Sequence, residues 1–251
     1  MSLASEYAHQ YAWRSWDRIF GALPQIEGRT VLDLGCGIGD LAAALAARGA
    51  RVTGIDGNED LLKVARARGL VDATFVRDDL QAINLPDASA DGIWCSFAAA
   101  YFPDLTGTLA SWKRLLRPGG WIVLTEVDDL FGHEPVTSRT RALLDAYARD
   151  ARQSGQYDVH VGRRLAACLE QAGYAVRQAF EVDDAEFSFR GPAGPDLLEA
   201  WRRRFDRMTL LRRFCAADFD YVREDFLAGL AAAGHRSHCR VCCVIARLVR
   251  D

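Results

Sequence analysis

The sequence predicts an α/β fold, an open sheet with helices on both faces, and three observations predict it. Val31 to Leu34 is a short apolar run that ends in Gly35, Gly37 and Gly39, and Asp40 to Arg48 continues with helical periodicity until Gly49 stops it. Arg51 to Ile55 is a second apolar run that ends in Asp56, so strand, glycine turn, helix and strand follow in order. Apolar runs and amphipathic stretches then alternate along most of the chain, the rhythm of strands joined by helical crossovers.

The first turn carries chemistry. Glycines let the backbone take positive φ and approach a ligand with no Cβ in the way. The free N–H groups of a helix start attract an anionic group. Asp56, at the end of the second strand, is placed to accept hydrogen bonds from both hydroxyls of a ribose. A nucleoside ligand is therefore expected. The dinucleotide pattern G-x-G-x-x-G does not fit, because Asp40 stands where its third glycine belongs and would face the pyrophosphate. That disfavours a nicotinamide oxidoreductase.

Five segments in a fixed order narrow the nucleoside: Asp33-Leu-Gly-Cys-Gly-Ile-Gly39, Val52-Thr-Gly-Ile-Asp56, Phe75-Val-Arg-Asp-Asp79, Leu85-Pro-Asp-Ala-Ser-Ala-Asp91 and Arg114-Leu-Leu-Arg-Pro-Gly-Gly120. Together they resemble the motifs of class I S-adenosylmethionine-dependent methyltransferases, in particular the methyltransferase-11-like group that acts on small molecules. The resemblance is good over about residues 30 to 127 and holds only in outline elsewhere. It implies a Rossmann-like seven-stranded sheet of order 3-2-1-4-5-7-6 with the last strand antiparallel. It also implies one domain over 1–251, with a helical cap at 1–28 and a helical insertion at 190–235.

The same resemblance implies a cofactor site for S-adenosylmethionine, with S-adenosylhomocysteine as product. Asp33, Gly35, Cys36, Gly37 and Gly39 would supply the turn, and Asp56 and Gly57 the ribose contact. Asp79 and Leu80 would cradle adenine, with Asp78 either a solvated loop residue or exchanging roles with Asp79. Ser96 and Phe97 end the fourth strand on the cofactor side, and Arg14 is the candidate for the cofactor carboxylate.

Taken in order, residues 5 to 23 read as one helix rich in aromatics, from Tyr7 and Tyr11 to Phe20, that packs on the domain or covers the cofactor. Asn58 to Arg68 is the second crossover helix, with Asn58 as N-cap and Gly69 as stop. Ala73 to Arg77 is the third strand and Asp91 to Phe97 the fourth. Leu105 to Leu116 is helical, Arg117 to Gly120 a turn, and Trp121 to Glu126 the fifth strand. Helices over 138–153 and 161–172, a sixth strand from Tyr174 to Val182, helices over 195–214 and 218–233, and a seventh strand from Cys239 to Val249 complete the chain.

Acceptor chemistry is less sharply written. Relatives often carry a pair of histidines after the fourth strand, where this chain has alanines and Tyr101. Glu126, Asp128, Asp129 and His133 share one loop that either orients a substrate or caps itself. His133, His160, Tyr7 and Tyr11 are the candidate bases for an acceptor that needs one. Phe187, Phe189, Trp201, Phe205, Met208 and Phe214 are candidates for a pocket wall, with core packing the better reading for most. The arginines at 202–204, 207, 212 and 213 read as a solvated face, and Cys239, Cys242 and Cys243 as buried small side chains with no metal implied.

Composition bounds the alternatives. Half of the 251 residues are hydrophobic and 26% are charged, as in an ordinary soluble domain, and a net charge of −3 argues against a general nucleic-acid or membrane binder. No leader or spanning segment is evident, so the chain is expected to stay in the cytosol, as monomer or homodimer, with its seven cysteines reduced. The function expected is methyl transfer to N, O or C of a small-molecule acceptor such as a specialised metabolite. The alternatives are an RNA or protein methyltransferase, or a non-catalytic module that binds the nucleoside.

Overall fold

The computed structural model describes residues 3–249. Its strands are β1 (Thr30–Leu34), β2 (Arg51–Asp56), β3 (Ala73–Arg77), β4 (Ala90–Ser96), β5 (Leu116–Asp128), β6 (His133–Glu134), β7 (Tyr174–Val182), β8 (Arg236–Ser237) and β9 (Arg240–Leu248). Its helices are α1 (Leu3–Ala12), α2 (Trp16–Ala22), α3 (Asp40–Ala46), α4 (Glu59–Ala67), α5 (Leu105–Trp112), α6 (Ser138–Gln153), α7 (Leu165–Gln171), α8 (Pro195–Arg207), α9 (Thr209–Cys215) and α10 (Phe219–Leu230). Seven strands form one sheet in the order β3-β2-β1-β4-β5-β9-β7, while β6 and β8 pair by themselves. β9 runs antiparallel to both β5 and β7. Counted along the large sheet alone, this is the order 3-2-1-4-5-7-6 with an antiparallel last strand.

Alternation along each strand sorts the apolar side chains into two layers. Val31, Val52, Trp94 and Val123 face one way, onto Leu41, Ala42 and Leu45 of α3 and Ile19 of α2. Leu32, Leu34, Ile55, Ile93, Ile122 and Leu124 face the other way, onto Leu109 of α5 and Leu165 and Leu169 of α7. Both faces of the central strands are therefore covered, and their carboxyl ends all reach one edge. The helices begin where side chains can replace missing backbone partners. Asn58 accepts from the amides of Asp60 and Leu61 at the start of α4, and Asp104 accepts from the Gly107 amide at 2.8 Å at the start of α5.

Three expected elements come out differently. The single helix over 5–23 is two helices, because Trp13 to Ser15 pair with the loop after β7 instead of continuing the turn. The Ser15 amide donates to Asp183 O at 3.1 Å, and the Ala185 amide to Trp13 O at 2.9 Å. The helix over 195–214 breaks at Met208, whose ψ of 68° ends α8 and starts α9. The expected turn at 117–120 lies inside β5: Leu116 pairs with Ala90 and Trp121 with Gly92, so those residues bulge opposite Asp91 alone. Arg117 Nη1 ties the bulge to the Asp91 carboxylate at 2.8 Å.

Gly92 shows how closely this sheet is packed. A Cβ there would lie 2.2 Å from the Trp121 indole, which occupies the space beside the bare backbone. Gly92→Ala is expected to cost roughly 1–3 kcal/mol through overpacking. Urea unfolding checks this, and an unchanged midpoint would show that the indole moves aside freely.

Candidate active site

The carboxyl edge opens into one continuous cavity of about 580 Å³. That is within the usual size range of small-molecule sites. At one end lies the turn after β1. Gly35 and Gly37 have φ of 77° and 52°, and a Cβ on Gly35 would press on Ala98 at 3.0 Å. Over Gly37 lies the ring of Tyr7, 3.5 Å from where a Cβ would stand. The turn is thus narrow as well as left-handed, and side chains there would fill the space a ligand needs.

Asp56 locks this turn to the end of β2. Its Oδ2 accepts from the Gly37 amide at 2.9 Å and its Oδ1 from the Asn58 amide at 2.8 Å. A carboxylate has about four acceptor positions, so lone pairs remain for two hydroxyl donors. Asp33 lies beneath the turn, 2% exposed, with Oδ2 unpartnered. Burial and then the nearby Asp56 push its carboxyl up to about 7, against the Ala42 amide that favours the charged form. An unsatisfied buried carboxylate that lines a cavity fits a cationic or N–H donor group of a ligand.

β4 ends at the boundary between the two halves of the cavity. Phe97 has φ of 57°, unusual for a side chain of that size. Two contacts hold it there: its amide donates to Thr125 O at 2.9 Å, and the Arg14 guanidinium carbon sits 4.0 Å from its ring centre. Arg14 itself reaches Asp184 at 3.1 Å and Glu186 at 3.5 Å. Glu186 also holds Arg204, and Glu6 of α1 holds Arg207 at 2.5 Å. This network joins α1, the loop after β7 and α8 across the cavity.

The far half is an aromatic chamber. Tyr101, Phe102, Phe131, Tyr147, Tyr157 and Phe187 line it, together with Met208 and Leu210 at the break between α8 and α9. Tyr101 meets Tyr157 edge to face at 4.9 Å, and Glu126, two residues before the end of β5, shares the lining with them. Arg14, Arg204 and Arg207 line the cavity, while their carboxylate partners Asp184, Glu186 and Glu6 do not.

Among the expected cofactor residues, Arg14, Asp33, Gly35, Cys36, Gly37, Asp56, Gly57, Leu80, Ser96 and Phe97 line the cavity. Gly39 and Asp79 do not. Gly39 is required by packing instead: a Cβ would lie 2.8 Å from the Phe75 ring, and its φ of 78° starts α3. The Asp79 carboxylate accepts from the Gln81 amide, and Asp78 caps Asn84, so both carboxylates serve their own loop.

The candidate bases divide. Tyr7 and Tyr11 line the cavity. Burial raises the Tyr11 phenol to about 12 and raises that of Tyr7 against the pull of Arg207 and Arg204, so at neutral pH each is a donor rather than a base. His133 is a correction. It is buried between Trp201 and Phe226, with Nδ1 3.1 Å from Nε2 of His235, and does not line the cavity. Burial, then His235, lowers it to about 3, so it is neutral. His160 is also outside, near Asp128 and Asp129 at 4.0 and 3.9 Å. The shared loop separates too, since Asp128 turns to Arg163 at 2.6 Å and Arg240 at 2.5 Å and leaves Glu126 alone at the cavity.

Of the expected wall residues, Phe187 and Met208 line the cavity; Phe189, Trp201 and Phe205 pack behind it, and Phe214 sits against Tyr147. Arg204 and Arg207, with Phe102, Phe131 and Tyr147 of the chamber, are lining residues that the sequence did not single out. The sequence places Arg204 on a solvated face, yet it lies between Phe187 and Trp201 with its guanidinium on Glu186. The spacing of Trp201, Arg204, Phe205 and Met208 on one helical face was the available signal.

Residues 32–124 match the family model described as a methyltransferase domain. Over that stretch the chain is similar to class I S-adenosylmethionine-dependent methyltransferases. The ubiquinone biosynthesis O-methyltransferase of Paracidovorax citrulli is 36% identical over 111 residues, covering 42% of this chain and 47% of that protein. The chain thus matches about half the length of such relatives. An S-adenosylmethionine-dependent methyltransferase structure from Mesorhizobium loti superposes with TM-score 0.56 and 24% identity over 92% of this chain and 96% of the other. The cyclase SpnF superposes with TM-score 0.61 and 20% identity over 94% and 82%. These two likenesses show the fold. The methyltransferase fold accounts for the glycine turn, the Asp56 joint and the open carboxyl edge, and among the described residues no helix is long and apolar enough to cross a membrane.

The raised Asp33 gives a stability signature. Its proton is held to about 7 in the folded chain against 3.8 for the free group, so the stabilisation it confers is complete below 3.8 and is lost as pH rises through about 7. Asp33→Asn lacks this loss. Its melting temperature relative to wild type should rise across that window and level off above it. A difference independent of pH in thermal melts would show that Asp33 stays ionised in the fold.

Proposed function

We propose that the protein transfers a methyl group from S-adenosylmethionine to a small, largely apolar acceptor held beneath α8 and α9. The observation that carries this is the joining of two unlike half-sites in one cavity: a glycine turn with Asp56 and Asp33, and an aromatic chamber. In this reading Asp56 takes the ribose hydroxyls, Asp33 the amino group and Arg14 the carboxylate of the cofactor, while Leu80 packs on the adenine. When bound, the cofactor supplies a methyl group already activated by its positive sulfur.

What remains for the chain is to orient the acceptor atom and keep water out. Tyr101, Tyr147 and Tyr157 offer aromatic faces and phenol groups to fix a flat ligand, and Arg204, Arg207 and Met208 roof it. We assign 1–28 the role of cap and 190–235 that of lid. A small-molecule acceptor is favoured over RNA or protein by the chamber's aromatic lining and by the net charge of −3, which does not draw in a polyanion. The named activity of the ubiquinone biosynthesis relatives agrees with such an acceptor.

Calorimetric titration with S-adenosylmethionine, S-adenosylhomocysteine and NADH tests the reading. Both adenosyl ligands should bind and NADH should not. Asp56→Ala should weaken them roughly tenfold or more, since hydrogen bonds to a charged group are lost. Binding of NADH in their place would reassign the turn.

A further inference from the structure

Four carboxylates line the cavity, and their surroundings differ. Asp40 is ion-paired with Arg68, and Asp33 and Asp56 belong to the glycine-turn end. Glu126 alone stands at the aromatic chamber, with no ion-pair partner among the described residues. Its Oε1 accepts from the Val127 amide at 2.9 Å, and its Oε2 from the Ala100 amide at 3.3 Å, which is long for such a bond. Only 2% of the residue is exposed. Acceptor positions therefore remain on a carboxylate that is dry, unneutralised and open to the cavity.

Its place in the sheet matters as much. Thr125 and Ser96 are the last pair of β5 on β4, so Glu126 follows directly beside the residues that divide the cofactor half from the chamber. An acceptor atom at that boundary has Glu126 as its neighbouring base. The acceptor class follows from Glu126 itself, because Arg14, Arg204 and Arg207 are each held by a carboxylate of their own. A hydroxyl must give up its proton as it is methylated, and a buried carboxylate with free acceptor positions is placed to take it.

Building on the methyl-transfer reading, we propose that Glu126 is the proton acceptor of the reaction and that the acceptor substrate is a hydroxyl compound, a phenol or enol. As the oxygen–methyl bond forms, the carbon–sulfur bonding pair stays on sulfur and the O–H proton passes to Glu126. The products are a methyl ether, a neutral thioether and a protonated carboxyl that later returns its proton to water. Burial pushes the Glu126 carboxyl up to about 7, opposed by the amides of Val127 and Ala100 and by Arg14. The other titratable groups facing it are Cys95 of β4, Tyr101 and Tyr157, all raised and so uncharged at neutral pH. The base is therefore ionised above about pH 7, and the rate should fall below it.

The test pairs a binding measurement with turnover of defined probes. Catechol, a naphthol and a dihydroxybenzoate are offered with methyl-labelled S-adenosylmethionine, alongside phenylenediamine as the nitrogen counterpart of catechol. Separately, carbon NMR follows the glutamate carboxyls of the protein saturated with S-adenosylhomocysteine. We expect label on oxygen and a rate that rises with pH through about 7. Glu126→Gln should lower the rate roughly 100-fold or more, remove that pH limb, and leave S-adenosylhomocysteine affinity unchanged. Glu126→Asp should be slow yet keep the limb. One carboxyl signal that titrates near 7 should be missing from the Gln variant. Label confined to nitrogen, no label on any hydroxyl probe, a Gln variant with the wild-type rate and limb, or titration in the ordinary carboxylate range would each overturn the proposal. If S-adenosylhomocysteine itself does not bind, it is the methyl-transfer reading that fails.

Discussion

Arg14 is the tie on which the cavity depends. Its backbone bridges Asp184 and ends the first helix, its guanidinium pairs with Asp184 and Glu186, and its flat face covers Phe97. Through Glu186 and Gln10 the same network reaches Arg204 and Glu6, and through Glu6 it reaches Arg207. Two chain segments far apart in sequence are thereby drawn over one edge of the sheet. Buried ion pairs of this kind add little net stability compared with apolar packing, but removing one member leaves a dry, unpaired charge that costs about 3–5 kcal/mol. The network therefore specifies the position of the roof more than it strengthens the fold.

Beneath that roof, two acids of similar burial do different work because their neighbours differ. Asp33 faces a second carboxylate, Asp56, and a left-handed turn; Glu126 faces phenols, a thiol and a distant guanidinium. Each is pushed to about 7 by loss of water, and each retains unused acceptor capacity. The first suits a ligand that brings its own positive charge or N–H group. The second suits a neutral donor that gives up a proton.

Much of the fold was legible because it rests on local rules. The glycine turn, the Asn58 cap and the ends of β2 and β3 follow from backbone conformation and side-chain capping within a few residues. The break of the first helix at Arg14 was not legible, since its backbone partners lie some 170 positions away on the loop after β7. Nor was the bulge at 117–120, which exists only because β4 offers Asp91 opposite it. Arg204 and His133 show the same limit from opposite directions: an arginine is drawn in by Glu186, and a histidine is walled off by Trp201 and Phe226.

The sequence by itself determined the sheet class, the order of its strands through the motifs it shares with methyltransferases, and most of the glycine-turn end of the cavity. These are encoded by short spacings, where a glycine, a cap or a strand-terminal aspartate acts on backbone beside it. Tertiary structure alone decided which arginines and acids face the chamber, which histidines are excluded, and that Glu126 stands there with no ion-pair partner among the described residues. Those outcomes depend on burial and charge summed over elements distant in the chain, and no local pattern of residues carries that sum.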